Sequence, residues 1–138
     1  MNKKLRFKVF SKYDGRCAYC GCLLPDKWHI DHLEPIKRTH VWDKVSQSWR
    51  VSGCDHPELD CFDNMMPSCP SCNINKHNDS VETFRNNIKG YLKSLNERMV
   101  QYQMVRRYNL VRETNYDVIF YFERHEAIDE VLSINTNK

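Results

Sequence analysis

Two Cys-x-x-Cys pairs, Cys17/Cys20 and Cys69/Cys72, bracket the run His29-Ile30-Asp31-His32, and the second pair opens directly onto Asn73-Ile74-Asn75-Lys76-His77. Each pair presents two thiolates from one tight turn. Four thiolates satisfy the tetrahedral preference of zinc and leave no open position for substrate, so the predicted metal is structural. Its binding would force the segment carrying Asp31 and His32 against the segment carrying Asn73. The two are too far apart in sequence to meet through local structure.

At 138 residues, the chain suits a single domain over 1–138, short enough for a metal clip to matter to its stability. With 41% hydrophobic and 28% charged residues it is neither depleted enough for disorder nor continuous enough for a membrane span. Met1-Asn2-Lys3-Lys4 is basic, but no apolar run follows it, so no secretory signal is read and the cytoplasm is the expected location. Seven cysteines are an odd count. Together with the knuckle spacing, this favours thiolates on a metal in a reducing compartment over disulfides. Cys22, Cys54 and Cys61 are then left over. With His56, and Cys22 or His40, the last two match no common zinc spacing, so free or buried thiols are expected. A formal charge of +3 is too small to establish nucleic-acid binding, and any phosphate-binding surface must come from local clusters.

Leu5, Val9 and Tyr13 recur at helical spacing, which predicts a short helix over 4–12 ended by Asp14-Gly15. Trp28 to Leu33 alternates apolar and polar residues like a half-buried strand, limited by Pro35. Val41, Trp42, Val45, Trp49 and Val51 surround a Ser-Gln-Ser centre and suggest a hairpin within 39–62. After His77, Asp79 and Glu82 form a capping-box-like start. Val81, Phe84, Ile88, Tyr91, Leu95, Met99 and Tyr102 then mark one long helix whose apolar stripe is read as core. Val118-Ile119-Phe120-Tyr121-Phe122 is β-branched and aromatic, the composition of a buried strand.

A phosphodiester can be cleaved by one hard cation and one base, the cation stabilising charge on the phosphate and the base taking a proton from water. Asp31 supplies a carboxylate oxygen suited to magnesium or manganese, and Asn73 can add an amide oxygen. His32 is the natural base. It needs a neighbour to fix its tautomer, and the side-chain carbonyl of Asn64 could do so. His29 shares the face of Asp31 under strand periodicity and is read as a satisfied structural histidine.

The pattern Cys-x-x-Cys, Asp-His, Asn, Cys-x-x-Cys-Asn resembles the HNH endonucleases of the ββα-metal type, over residues 16–77. Pro35, Asn64-Met65-Met66 and Lys76 fit the same pattern. Arg107-Tyr108-Asn109-Leu110-Val111 and Phe120-Tyr121-Phe122-Glu123 look similar to the tails of small phage and prophage members. The resemblance implies an α+β fold with a zinc-stapled ββα core over about 14–79, an N-terminal helix, and a helical extension over about 80–138 with a long helix and a terminal strand. It makes Asp31 and Asn73 ligands of a catalytic divalent metal (magnesium or manganese, with cobalt or nickel as substitutes), His32 the general base and Asn64 the residue that orients it. Cys17, Cys20, Cys69 and Cys72 become the structural zinc ligands.

The implied substrate is DNA, in the cytoplasm of a bacterial or phage-infected cell, with Lys76, Lys37 and Arg38 contacting phosphates. Residues 39–62 exceed the short loop common in such proteins, which bears on the pairing of Asn64 with His32. His77, four residues after Asn73, could complete the metal site. A strict strand would point Asp31 and His32 to opposite faces, so the resemblance implies a backbone twist there. A noncatalytic zinc module binding nucleic acid or a protein partner is the rival reading, and RNA or a branched junction the rival substrate.

Overall fold

The computed structural model describes residues 2–126, and its organisation begins with how helix α1, Lys3–Ser11, clasps the strand that follows. Asn2 caps α1 by accepting the Lys4 N–H at 2.9 Å, and Asp14 (φ 52°) and Gly15 (φ 71°) turn the chain out of it. Val9 is fully buried. The Arg6 guanidinium lies 3.9 Å from the Trp28 ring centroid and donates to the Trp28 carbonyl at 2.7 Å. Lys12 Nζ reaches the carbonyls of Asp63 and Met65, at 2.8 and 3.3 Å. The helix thereby holds the approaches to both strands of the central sheet.

That sheet pairs β1, His29–His32, antiparallel with β4, Met65–Ser68, with Asp31 opposite Met66 and His32 opposite Met65. Helix α2, Pro70–Lys76, follows β4 after one residue and packs against β1. Cys69 is its N-cap and Pro70 its first residue, where a missing N–H and a fixed φ favour helix initiation. The first knuckle is a tight turn in which the Cys17 N–H donates to the Cys22 carbonyl at 2.8 Å. Ala18 N–H ties it to the Pro67 carbonyl of β4, also at 2.8 Å. Gly21 closes the knuckle at φ 75°, and a Cβ there would lie 2.9 Å from the Tyr121 ring, so both conformation and space require glycine.

Between β1 and β4 the chain runs out into the expected hairpin: β2, Arg38–Asp43, pairs with β3, Ser48–Cys54. Its turn is fixed by the Asp43 carboxylate, which accepts from Val45 N–H and the Ser46 hydroxyl, each at 2.9 Å. The roots of the hairpin are joined where the Asp55 N–H is shared by the Ile36 and Lys37 carbonyls, both at 3.2 Å.

The long helix is interrupted. Helix α3, Val81–Arg98, is capped by Ser80, which accepts from Thr83 N–H at 3.2 Å. Asp79 instead accepts from Asn87 at 3.1 Å, so the cap lies one residue beyond the expected start. Met99 is extended (φ −110°, ψ 103°) and the chain resumes as α4, Val100–Arg107, with Gln103 Nε2 satisfying the Asn96 carbonyl at the end of α3. The expected strand at 118–122 is not formed. Residues 121–126 are helical, and the Glu123 carboxylate reaches back to Phe120 N–H at 2.7 Å, half of a capping box. Tyr121 and Phe122 N–H groups dock on the Tyr19 and Ala18 carbonyls of the knuckle, at 2.9 and 2.8 Å. Residues 127–138, the last part of the expected helical extension, lie outside the described residues. The core centres on Tyr19, whose ring meets Phe84, Phe120 and Phe122 edge to face at 5.6–6.3 Å. The chain is thus mixed α+β with small antiparallel sheets. Among the described residues no helix is long and apolar enough to cross a membrane.

Candidate active site and metal centre

Cys17, Cys20, Cys69 and Cys72 meet with all four sulfurs within 4.8 Å of one another. Zinc–sulfur bonds of about 2.3 Å in a tetrahedron set sulfurs about 3.8 Å apart, and Cys20 and Cys69 Sγ stand at 3.8 Å. The thiols cannot all ionise unaided. The Cys72 thiol, hydrogen-bonded to Cys17, draws that sulfur down to about 4 and is itself pushed far up, while burial raises Cys20 and raises Cys22 to about 12. A dication is what lets four adjacent sulfurs carry charge together. The cluster therefore fits a structural ion such as zinc. Cys22, Cys54 and Cys61 are free thiols outside it, and among the described residues no second cluster of this kind forms.

The carboxylate of Asp31 is held from two sides. Lys76 Nζ approaches Oδ2 at 3.0 Å and donates to the His32 carbonyl at 2.8 Å, and the Tyr19 hydroxyl also donates to Oδ2. Burial, followed by the Asp31 charge, pushes the Tyr19 phenol far up, so it stays a donor. Lys76 is fully buried. The expected phosphate contact by Lys76 is thereby corrected: its ammonium faces inward, last in a helix packed on β1, where Asp31 offers the only nearby countercharge described. Among the described residues Asp31 Oδ1 has no hydrogen-bond partner, and it is not sealed from solvent.

His32 is oriented by a residue that the sequence did not suggest. Its Nε2 lies 2.9 Å from Asp60 Oδ1, and Nδ1 has no hydrogen-bond partner among the described residues and is not sealed from solvent. The expected pairing with Asn64 is not present. Asn64 is buried and its amide is fully engaged with backbone: Oδ1 accepts from Glu34 N–H at 2.8 Å, and Nδ2 donates to the Glu34 and Leu59 carbonyls at 2.9 Å each. It clamps the loop after β1 to Leu59 of the long insertion, which also brings Asp60 to the place beside the His32 ring.

Asp31, His32, Asn73 and His77 all line one cleft of about 520 Å³, with Lys37, Arg38, His29 and His40 on its walls. His32 is the last residue of β1, and both members of the Asp-His pair reach the cleft although adjacent strand residues alternate. Among the described residues the Asn73 side chain has no hydrogen-bond partner, and the Asn73 backbone carbonyl accepts His77 N–H at 3.0 Å. His77 leaves the helix at φ 50°, exposed at the rim, so it does not continue the helical face of Asn73. Lys37 and Arg38 are exposed at the mouth. His29, expected as a satisfied structural histidine, is exposed on the cleft with no partner among the described residues. Tyr19 and Asp60 are the residues that motif reading missed. Tyr19 stood in plain view inside the first knuckle, whereas Asp60 carries no local signal. Compared with family models, curated proteins and solved structures, the chain matches none.

Proposed function

We propose that the chain is a metal-dependent DNA endonuclease of the HNH, ββα-metal type, with a structural zinc and one catalytic divalent cation. One observation carries this reading: Asp31, His32 and Asn73, drawn from two remote segments, share one cleft beside the four-thiol cluster. Asp31 Oδ1 and the Asn73 amide oxygen are hard donors without hydrogen-bond partners among the described residues, a set suited to magnesium or manganese. A cation held there supplies charge stabilisation to the phosphate and the departing oxygen. His32 takes a proton from the attacking water at Nδ1, while Asp60 accepts from Nε2–H and so fixes the tautomer that leaves Nδ1 bare. Lys76 and Tyr19 hold Asp31 by one oxygen, which leaves the other unengaged among the described residues.

The test is incubation with supercoiled plasmid and magnesium or manganese, alongside His32→Ala. Wild type should yield nicked or linear product, and the variant should lose roughly a hundredfold or more in rate with zinc content unchanged. Equal cleavage by the two proteins removes the mechanism. The rival, a noncatalytic zinc module, draws on the Lys76–Asp31 ion pair, which already gives the carboxylate a cation. DNA retention without cleavage across magnesium, manganese, cobalt and nickel favours it.

A further inference from the structure

The β2–β3 hairpin is a surface that the chemistry above does not use. Every residue of its strands is exposed except Asp43 and Cys54, which are half-buried, so among the described residues no other element covers either face. Trp42 and Trp49 are cross-strand partners with ring centroids 5.6 Å apart, yet they remain 49% and 67% exposed. Large aromatics left in water at this density call for an occupant. Pairing of His40 with Val51 and of Trp42 with Trp49 puts these four on one face of the pleat, with Val41, Asp43, Ser48 and Arg50 on the other. Because His40 also lines the cleft, the aromatic face is a continuation of the cleft wall.

Charge selects the occupant. Residues 37–54 hold Lys37, Arg38, Lys44 and Arg50 against Asp43 alone, a formal +3 equal to that of the whole chain. We propose that this hairpin is a DNA-gripping arm. Its aromatic face lies against base edges and sugars in the groove beside the scissile phosphate, and Lys37 and Arg38 at its root hold the backbone of the duplex. A two-stranded ribbon fits the roughly 12 Å major groove of duplex DNA, where the base edges include the apolar methyl group of thymine. The inference rests on the cleft holding a DNA phosphodiester and adds how the flanking duplex is held.

Fluorescence anisotropy of the zinc-loaded full chain on a labelled duplex, without added divalent metal, tests it, with plasmid cleavage run in parallel. Trp42→Ala/Trp49→Ala should weaken duplex binding by roughly ten- to a hundredfold while leaving the slope against log salt unchanged. Trp42→Phe/Trp49→Phe should restore most of the affinity. Lys37→Ala/Arg38→Ala should lower the salt slope by about one per lost contact. Far-UV circular dichroism checks folding of each variant. Unchanged affinity in the double alanine variant overturns the arm, and leaves the nuclease standing if plasmid is still cut. Weakened binding with no cleavage by wild type keeps the arm and removes the nuclease. Binding to single strands alone, or loss of self-association in place of DNA affinity, also overturns the proposal.

Discussion

Replacing Lys76 with methionine keeps most of the side-chain volume and removes the ammonium. The structure assigns that ammonium two bonds, to Asp31 Oδ2 at 3.0 Å and to the His32 carbonyl at 2.8 Å, in a side chain with no solvent exposure. Breaking a buried ion pair from one side typically costs about 3–5 kcal/mol, because the remaining charge is stranded. Here the Asp31 side chain is 11% exposed and keeps its Tyr19 bond, which relieves part of that penalty and points to the lower end, about 3 kcal/mol. For a chain of this length that corresponds to a fall in Tm of about 10 °C. Urea unfolding followed by circular dichroism, at fixed excess zinc, measures it. Asp31→Asn should also destabilise, and the double variant Lys76→Met/Asp31→Asn should recover about 2 kcal/mol relative to the sum of the singles. A loss under about 0.5 kcal/mol for Lys76→Met, or additive singles, would refute the buried pair as the anchor of Asp31.

Cys69→Ser should abolish stoichiometric zinc binding in a chelator competition, whereas Cys22→Ser, outside the four-sulfur cluster, should retain it; loss of zinc in the Cys22 variant would redraw the site. Asn64→Ala removes three bonds to backbone and should cost about 2–3 kcal/mol, read as faster hydrogen exchange at the Glu34 amide; unaltered protection there would dismiss the clamp. Glu123 is held below the usual carboxylate range, chiefly by its hydrogen bond with Arg85. Its contribution is therefore present above the ordinary carboxylate pKa and disappears as pH falls through the lowered folded value. Glu123→Gln should cost about 1 kcal/mol at pH 7 and converge with wild type in acid, so an equal gap at pH 3 and pH 7 would count against it.

What could be read without coordinates was what depends on spacing. The two knuckles, the strand at His29–His32, the hairpin about Trp42 and Trp49 and the helical period of α3 each announce themselves within one short segment, although of the stripe expected as core only Phe84 is buried while Tyr91 and Met99 are exposed. What escaped depends on partners elsewhere. The run 118–122 is too short to distinguish strand from helix, and Glu123 at the third position, with docking on the knuckle, decides for helix. The break at Met99 has no glycine or proline to mark it and is stabilised by Gln103 folding back on Asn96. Lys76 reads as a surface cation until Asp31 is seen beneath it, and Asp60 reads as loop until the insertion brings it to His32.

The Asn64 clamp has an architectural consequence. Together with the Leu33 N–H, which donates to the Asn64 backbone carbonyl at 2.9 Å, it cinches the chain on both sides of the excursion into a closed collar, so the tip of the hairpin is set off from the reacting groups, which the excursion meets only through its cleft-lining root and Asp60. Doubling the length of a flexible loop costs only about 0.6 kcal/mol. Such a collar makes the projecting ribbon an exchangeable cassette, free to be lengthened, shortened or re-surfaced over generations without retuning the chemistry at its base.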